Sequence, residues 1–265
     1  MLFDSHAHLN FKAFDKTWPD VIADCVQKGV VMVNVGAQLE TTRKAIQIAD
    51  RYESGVYAAV GLHPIHTPGG SSNPEEFDFD EYKALASSSK KVVAVGETGI
   101  DFFHDETNVA SQAEVFKQHI RLAKELDLAV IIHGRNSRDG RKNAYAKIYE
   151  IVKAEGISRA VVHCYGGTWE EAQRFVDLGL KIGFTGIITF PKTQSLADIA
   201  RRLSAEQILI ETDCPYLAPE PHRGQQNMPQ YVRFVAEKIA EIRGISYNEI
   251  AEQTRRNAEV LFNIS

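Results

Sequence analysis

No apolar stretch in this chain approaches the roughly 20 residues needed to cross a bilayer. The opening segment MLFDSHAHLNFK also lacks the basic flank and apolar run of a secretory signal. Cysteine is scarce: Cys25, Cys164 and Cys214 are the only three in 265 residues, and no CxxC pair occurs. An odd, unpaired set argues against a disulfide framework and against a zinc ribbon, and suits a reducing compartment. A basic excess is missing too. Thirty Lys and Arg stand against 35 Asp and Glu, a formal net charge of −5. That disfavours a protein that coats nucleic acid through a broad basic surface, yet leaves room for a few cations gathered at one mouth. Low-complexity linkers, internal repeats and changes of compositional regime are absent as well. The expectation is a soluble, cytoplasmic protein of one domain spanning 1–265, with no membrane partner and an oligomeric state left open.

What is present is an alternation. Short apolar, β-branched runs recur at MLFDSHAH, 30–36, 55–63, 91–97, 128–133, 159–163, 180–185 and 207–213. Amphipathic stretches such as 21–29, 41–52, 111–127, 144–156 and 169–179 lie between them, several ending in Gly, a common helix terminator. Residues 228–262 read as two further helices, the second opening at Ser246 with Glu249 three residues on, the pattern of a capping box. Near-continuous apolar strands suit a parallel sheet buried on both faces. Eight strand–helix units predict a closed (β/α)₈ TIM-like barrel, with an open doubly wound sheet as the alternative.

Ionisable residues collect at the strand tips. Asp4, His6 and His8 end the first run, His63 the third, Glu97 the fourth, His133 the fifth, His163 the sixth, and Glu211 with Asp213 the eighth. In a barrel these tips share one face, the face on which barrel enzymes build their sites. Burying so many polar groups is unfavourable unless something compensates them, and imidazole with carboxylate is a donor set for divalent metal. Residues two apart on a strand share a side, about 6.6 Å apart, so His6 and His8 can converge on one ion. An isolated His-x-His is more often a solvated pair; it is the company of the other tip residues that favours metal. Glu97 reads as a carboxylate offering one oxygen to each of two metals, or as a cap for the following backbone. Asp213 reads as a ligand and general base for an attacking water, or as a turn cap before Pro215. His63 can be a ligand, but reads better as a neutral donor to substrate, or an acid. His66, His104 and His222 fall in loops at the rim, and His119 in a long helix, where a surface position is expected. Cys164 and Cys214 each follow such a residue by one and read as buried, unreactive thiols.

Two ions of this kind activate water and polarise the bond under attack, which gives hydrolysis of an ester, amide or phosphoester. One segment favours phosphate. HGRNSRDGRK, 133–142, carries Arg135, Arg138, Arg141 and Lys142 against Asp139, and Arg223 can join it from the loop after the last strand. Arginine forks match phosphate oxygens, although a charged run is ordinarily a solvated face.

The motifs DSHAHL, GLHP, VGETGIDF, HGR, HCYGG and ETDCPYLAP followed by HRG run in this order over essentially the whole chain. Together they resemble the TatD family of metal-dependent deoxyribonucleases, within the amidohydrolase-like barrels. The resemblance implies one metal held by His6, His8, Glu97 and Asp213 and a second by Glu97, His133 and His163. Glu97 would bridge them, where many amidohydrolases use a modified lysine, and His63 would sit near the scissile phosphate. It implies a 3′–5′ exonuclease acting on DNA, single-stranded or at 3′ ends, with two divalent ions, magnesium or manganese, and zinc as the alternative. Two departures stand out. The family's usual Asn-Glu-Pro is here Asn227-Met228-Pro229, and the segment after His133 is longer and more basic than the usual His-Ser-Arg. A metal-dependent hydrolase of esters or amides, such as one that removes D-amino acids from transfer RNA, is the second reading. A non-catalytic, metal-stabilised scaffold is the third, disfavoured because a barrel does not need tip ligands for stability.

Overall fold

The computed structural model describes residues 1–264. Eight parallel strands follow one another around a single sheet in sequence order: β1 (Leu2–Ala7), β2 (Val30–Val35), β3 (Val56–Val60), β4 (Val92–Asp101), β5 (Ala129–Arg135), β6 (Ala160–Val162), β7 (Lys181–Phe184) and β8 (Ile208–Ile210). Helices α1 (Trp18–Gln27), α2 (Leu39–Ala49), α3 (Phe79–Ser87), α4 (Val109–Leu126), α5 (Ala144–Glu155), α6 (Trp169–Asp177) and α7 (Gln194–Arg202) connect them, and α8 (Val232–Arg243) and α9 (Tyr247–Phe262) complete the chain. This is the predicted TIM-like barrel. The Ser246–Glu249 capping box opens α9 as read from the sequence, and Gly156 ends α5 and Gly244 ends α8 in the left-handed conformation that glycine adopts without strain.

Alternation along the strands separates two apolar layers. Residues such as Met32, Val60, Ile132 and Ile182 pack with the helices. Phe3, Val33, Val93, Ile131 and Leu209 cluster with Ala258, Leu261 and Phe262 of α9, and the rings of Phe3 and Phe262 stack with centroids 5.9 Å apart. Among the described residues no helix is long and apolar enough to cross a membrane.

The strand register slips where ligand-type residues sit. In β1 it shifts between Asp4 and Ala7, a span that contains His6. In β4 it shifts against β5 between Val95 and Thr98, a span that contains Glu97. Such bulges re-aim side chains beside functional sites. Glycine makes the second one sterically feasible: a Cβ on Gly96 (φ 135°) would stand 2.5 Å from the Ile131 carbonyl oxygen, and one on Gly99 (φ 149°) only 2.0 Å from that of His133. Beyond the bulge the ladder continues, pairing Gly99 with His133 and Asp101 with Arg135. The fourth and fifth strands therefore run past 97 and 133, where the apolar pattern had ended them.

His119 departs from expectation. It is fully buried in α4, with Nε2 accepting from the Leu62 amide at 2.9 Å and Nδ1 donating to the Val115 carbonyl at 2.8 Å. Helical periodicity marks the inward face but gives no sign that a loop amide awaits a partner there.

Closure between β8 and β1 is the thinnest seam, with one backbone bridge at Ala7 and Cys214. Side chains supply what the ladder lacks. The buried Asp4 carboxylate accepts from the Thr212 amide (2.8 Å), the Thr212 hydroxyl (2.6 Å) and the His6 amide (3.3 Å). Ser5 donates to the Ile210 carbonyl and to Glu211. Replacing Asp4→Ala leaves two buried amides without their acceptor, so a loss of about 2–4 kcal/mol is expected in urea unfolding. A change within about 0.5 kcal/mol, the level of a bland surface substitution, would show that the bridge alone closes the barrel.

Candidate metal centre

Six donors and His63 meet at the C-terminal ends of the strands. The register slip in β1 brings His6 Nε2 and His8 Nε2 to 3.0 Å from each other. Glu97 Oε2 lies 3.4 Å from His6 Nε2 and 3.8 Å from His8 Nε2. Asp213 Oδ1 closes this group at 3.4 Å from His8 Nε2 and 3.8 Å from His6 Nε2. The other Glu97 oxygen faces elsewhere: Oε1 is 2.7 Å from both His133 Nδ1 and His163 Nε2, and 3.5 Å from His63 Nε2. One carboxylate thus separates two clusters of imidazole nitrogen.

The far ring nitrogens are held in turn. His8 Nδ1 donates to the Val35 carbonyl at 2.8 Å, His133 Nε2 lies 3.1 Å from Asp101 Oδ2, and His163 Nδ1 lies 3.4 Å from Glu211 Oε1. The acceptors bonded behind His8 and His133 fix the tautomer that turns a lone pair inward, which is the usual support of a metal-binding histidine. His6 Nδ1 and His163 Nδ1 are buried without a hydrogen bond, the latter facing the Glu211 carboxylate. Glu211 is itself anchored by the Cys164 amide and Ser5, in space kept open by Gly183, where a Cβ would stand 2.8 Å from its carboxylate oxygens.

His63 Nδ1 accepts from the Ile65 amide at 3.2 Å, so a neutral ring carries its proton on Nε2, toward the centre. Asp213 takes its place through its backbone, its amide donating to the His6 carbonyl at 2.9 Å with φ at 55°. Asn227 braces the same turn, donating to the carbonyls of Thr212 and Tyr216. The neighbouring Met228, which stands where the family's glutamate would, packs against the apolar core. Arg135 and Arg223 are not drawn into the cluster. Their guanidiniums lie over the rings of Phe103 (3.7 Å) and Phe190 (4.5 Å). His222 stacks on Tyr231. Cys214 is buried as expected, whereas Cys164 is half-buried, with desolvation pushing its thiol up to about 12.

Asp101 is the member of the site that the sequence reading passed over. It is fully buried and pairs with both His133 Nε2 and His104 Nδ1, the latter at 2.8 Å. The signal was available: Glu97, Gly99 and Asp101 alternate along one strand, and alternate residues share a side. The apolar run stops at Glu97, four residues short of Asp101 where the strand ends, so the alternation is hard to see in the sequence.

Charge compensation is strong here. Burial alone would raise the Glu97 carboxyl, but its electrostatic interactions with the His163, His63 and His6 rings and the hydrogen bond with His133 hold it well below the carboxylate range. Burial lowers His133, yet its bonds to Asp101 and Glu97 carry it up to about 9, and Glu97 and Glu211 raise His163 in the same way. His63, with burial dominant, is pushed down to about 3, and burial lowers His6. Three sets of donors each lie within 4.8 Å of one another: His6, His8 and Glu97; His6, His163 and Glu211; and His63, Glu97 and His133. Inward nitrogen lone pairs around a shared carboxylate are a fitting donor set for two divalent ions.

The model of the TatD related DNase family matches residues 3–263. The chain belongs to this family. Its relatives include the uncharacterized metal-dependent hydrolase YabD of Bacillus subtilis, 36% identical over 271 residues, covering 100% of both chains. The 3′-5′ ssDNA/RNA exonuclease TatD of Citrobacter koseri is 30% identical, again over 100% of both. The crystal structure of YjjV, a TatD homolog from Escherichia coli, superimposes with a TM-score of 0.87 at 30% identity, covering 100% of this chain and 98% of that one. The protein is thus a TatD-family metal-dependent hydrolase.

The charges of this TatD-family centre set the pH behaviour of the metal-free form. His133 and His163 have raised values, so their stabilisation is complete below the unfolded value of about 6.5 and is lost at higher pH, for His133 as pH rises toward 9. His6 and His63 have lowered values and oppose folding as pH falls below about 6.5, and Glu97 adds to that loss at lower pH. Chelator-treated protein is therefore expected to be most stable near pH 6.5 (about the unfolded histidine value). Urea unfolding midpoints across the pH range check this, and a midpoint that climbs steadily into the alkaline range would contradict it.

Proposed function

We propose that the protein is a 3′–5′ exodeoxyribonuclease that hydrolyses phosphodiester bonds of single-stranded DNA or 3′ ends with two divalent metal ions. The observation that carries this reading is the division of Glu97, one oxygen toward His6 and His8 and the other toward His133 and His163. In this reading His6, His8, Glu97 and Asp213 hold one ion and Glu97, His133 and His163 the other, with magnesium or manganese in function and zinc as the alternative. A pair of ions so held supplies an activated water and polarises the bond under attack. A relative named for 3′-5′ exonuclease action on ssDNA and RNA, alignable over the full chain, favours phosphodiester as the bond.

The chain's own groups divide the remaining work. Asp213 is the general base: burial raises its carboxyl, but the imidazoles of His8, His6 and His163 beside it outweigh burial and lower it, so it can accept the proton of the attacking water. His63, neutral and protonated on Nε2, donates a hydrogen bond to the substrate phosphate. Arg135 and Arg223 stand at the rim as cations for the flanking strand.

Degradation of a 5′-labelled single-stranded oligonucleotide by protein reconstituted with Mg²⁺, Mn²⁺ or Zn²⁺ tests the assignment. A metal-dependent ladder shortening from the 3′ end is expected, with Asp213→Asn slowed by at least about 10²-fold, as for loss of a general base. Protein that binds metal but leaves the oligonucleotide intact, while hydrolysing an aminoacyl ester, would replace the nuclease by the ester hydrolase.

A further inference from the structure

The extension of β4 and β5 past the centre carries a group of cations that hydrolysis itself does not use. Asp101 pairs with Arg135 one pleat beyond Gly99 and His133, so Arg135 rises about 6.6 Å above His133 on the same side of its strand. Phe103 follows Asp101 by two residues. Its ring lies under two guanidiniums, that of Arg135 at 3.7 Å and that of Arg138 at 4.4 Å from the centroid.

The other two cations of the segment are already engaged. Arg141 is paired with Asp139, and Lys142 reaches the carboxylate and carbonyl of Glu106. Among the described residues Arg135 and Arg138 have no carboxylate within 4.0 Å and donate no hydrogen bond, and both are exposed. In a chain of net charge −5, two unneutralised guanidiniums gathered on one ring need a reason. Cation–π attraction of about 0.5–1 kcal/mol at an exposed site holds each plane in place while leaving its N–H fork unfilled. With two guanidiniums on it, the ring is not a free platform for a base. What the group offers is a pair of forks matched to phosphate oxygens.

We infer that Arg135 and Arg138, stacked on Phe103, form a subsite for the backbone phosphates adjoining the one being cut. The inference rests on the phosphodiesterase reading of the centre, and adds Arg138 as a binding residue and Phe103 as the positioning residue of the pair. Its ligand is a single-stranded polyanion rather than a lone terminal nucleotide.

The test is a salt titration of binding, by fluorescence anisotropy, with the metal-loaded protein. The probe is a 5′-fluorescein oligothymidylate with phosphorothioate linkages, which keep the charge and resist cleavage. Each phosphate neutralised on a single strand contributes about −0.7 to the slope of log K against log salt. Arg138→Gln is expected to reduce the slope's magnitude by about 0.7, and the Arg135→Gln/Arg138→Gln pair by about 1.4. Phe103→Leu, which keeps both charges and removes the ring that orders them, is expected to weaken binding without altering metal content. An unchanged slope in the double variant overturns the subsite and leaves the nuclease reading standing. A reduced slope in protein that shows no cleavage keeps the anion subsite and removes the nuclease. No binding by the unsubstituted protein overturns both.

Discussion

The open end of the barrel depends on how one buried carboxylate is compensated. Glu97 is only 4% exposed, and an ionised carboxylate in such a place is strongly unfavourable unless paired and hydrogen-bonded. Five histidines surround it: His6 and His8 toward one oxygen, His133, His163 and His63 toward the other. The arrangement demands unusual backbone. The register slip in β4, the glycines at 96 and 99, and the slip in β1 that turns His6 inward all serve to bring these groups to one point.

A second tier of acceptors then keeps the first from relaxing. Asp101 behind His133 and the Val35 carbonyl behind His8 leave those rings little freedom to rotate, and the Glu211 carboxylate stands 3.4 Å behind His163. Asp4 and Asn227 do the same for the backbone on either side of Asp213. Side chains at the β8–β1 seam therefore have two duties, since the contacts that close the barrel also orient His6 and Asp213. Stability and function are coupled at the site end of that seam, as they are not in the apolar layer that α9 packs against Phe3 and Leu209 of the same strands.

Much of this was legible in the sequence because strand tips and side-chain types carry it. Eight apolar runs, six of them ending in a His, Asp or Glu, predict the barrel and its active face, and His6, His8, His63, Glu97, His133, His163 and Asp213 do converge. Other features were hidden for definite reasons. Asp101 lies past the point where β4 stops being apolar, and only pairing with β5 reveals that the strand goes on. His119 looks like any polar residue of an amphipathic helix until the Leu62 amide is seen beside it. A bulge leaves no periodic trace at all, because it is a local break in the period. The basic segment after His133 was visible as charge, but which two of its cations lack partners depends on Asp139 and Glu106, and so on the folded chain.

Sharing of Glu97 between two ions, as proposed, is open to direct test by metal stoichiometry. Protein saturated with Mn²⁺ or Zn²⁺, freed of loose metal and analysed by elemental mass spectrometry, should carry two ions per chain. Glu97→Ala should carry neither at the same free-metal concentration, while His133→Ala should keep the ion on the His6–His8 side. A Glu97→Ala variant that is folded and still holds two ions would show that the clusters bind metal independently, and the account of a shared carboxylate would be wrong.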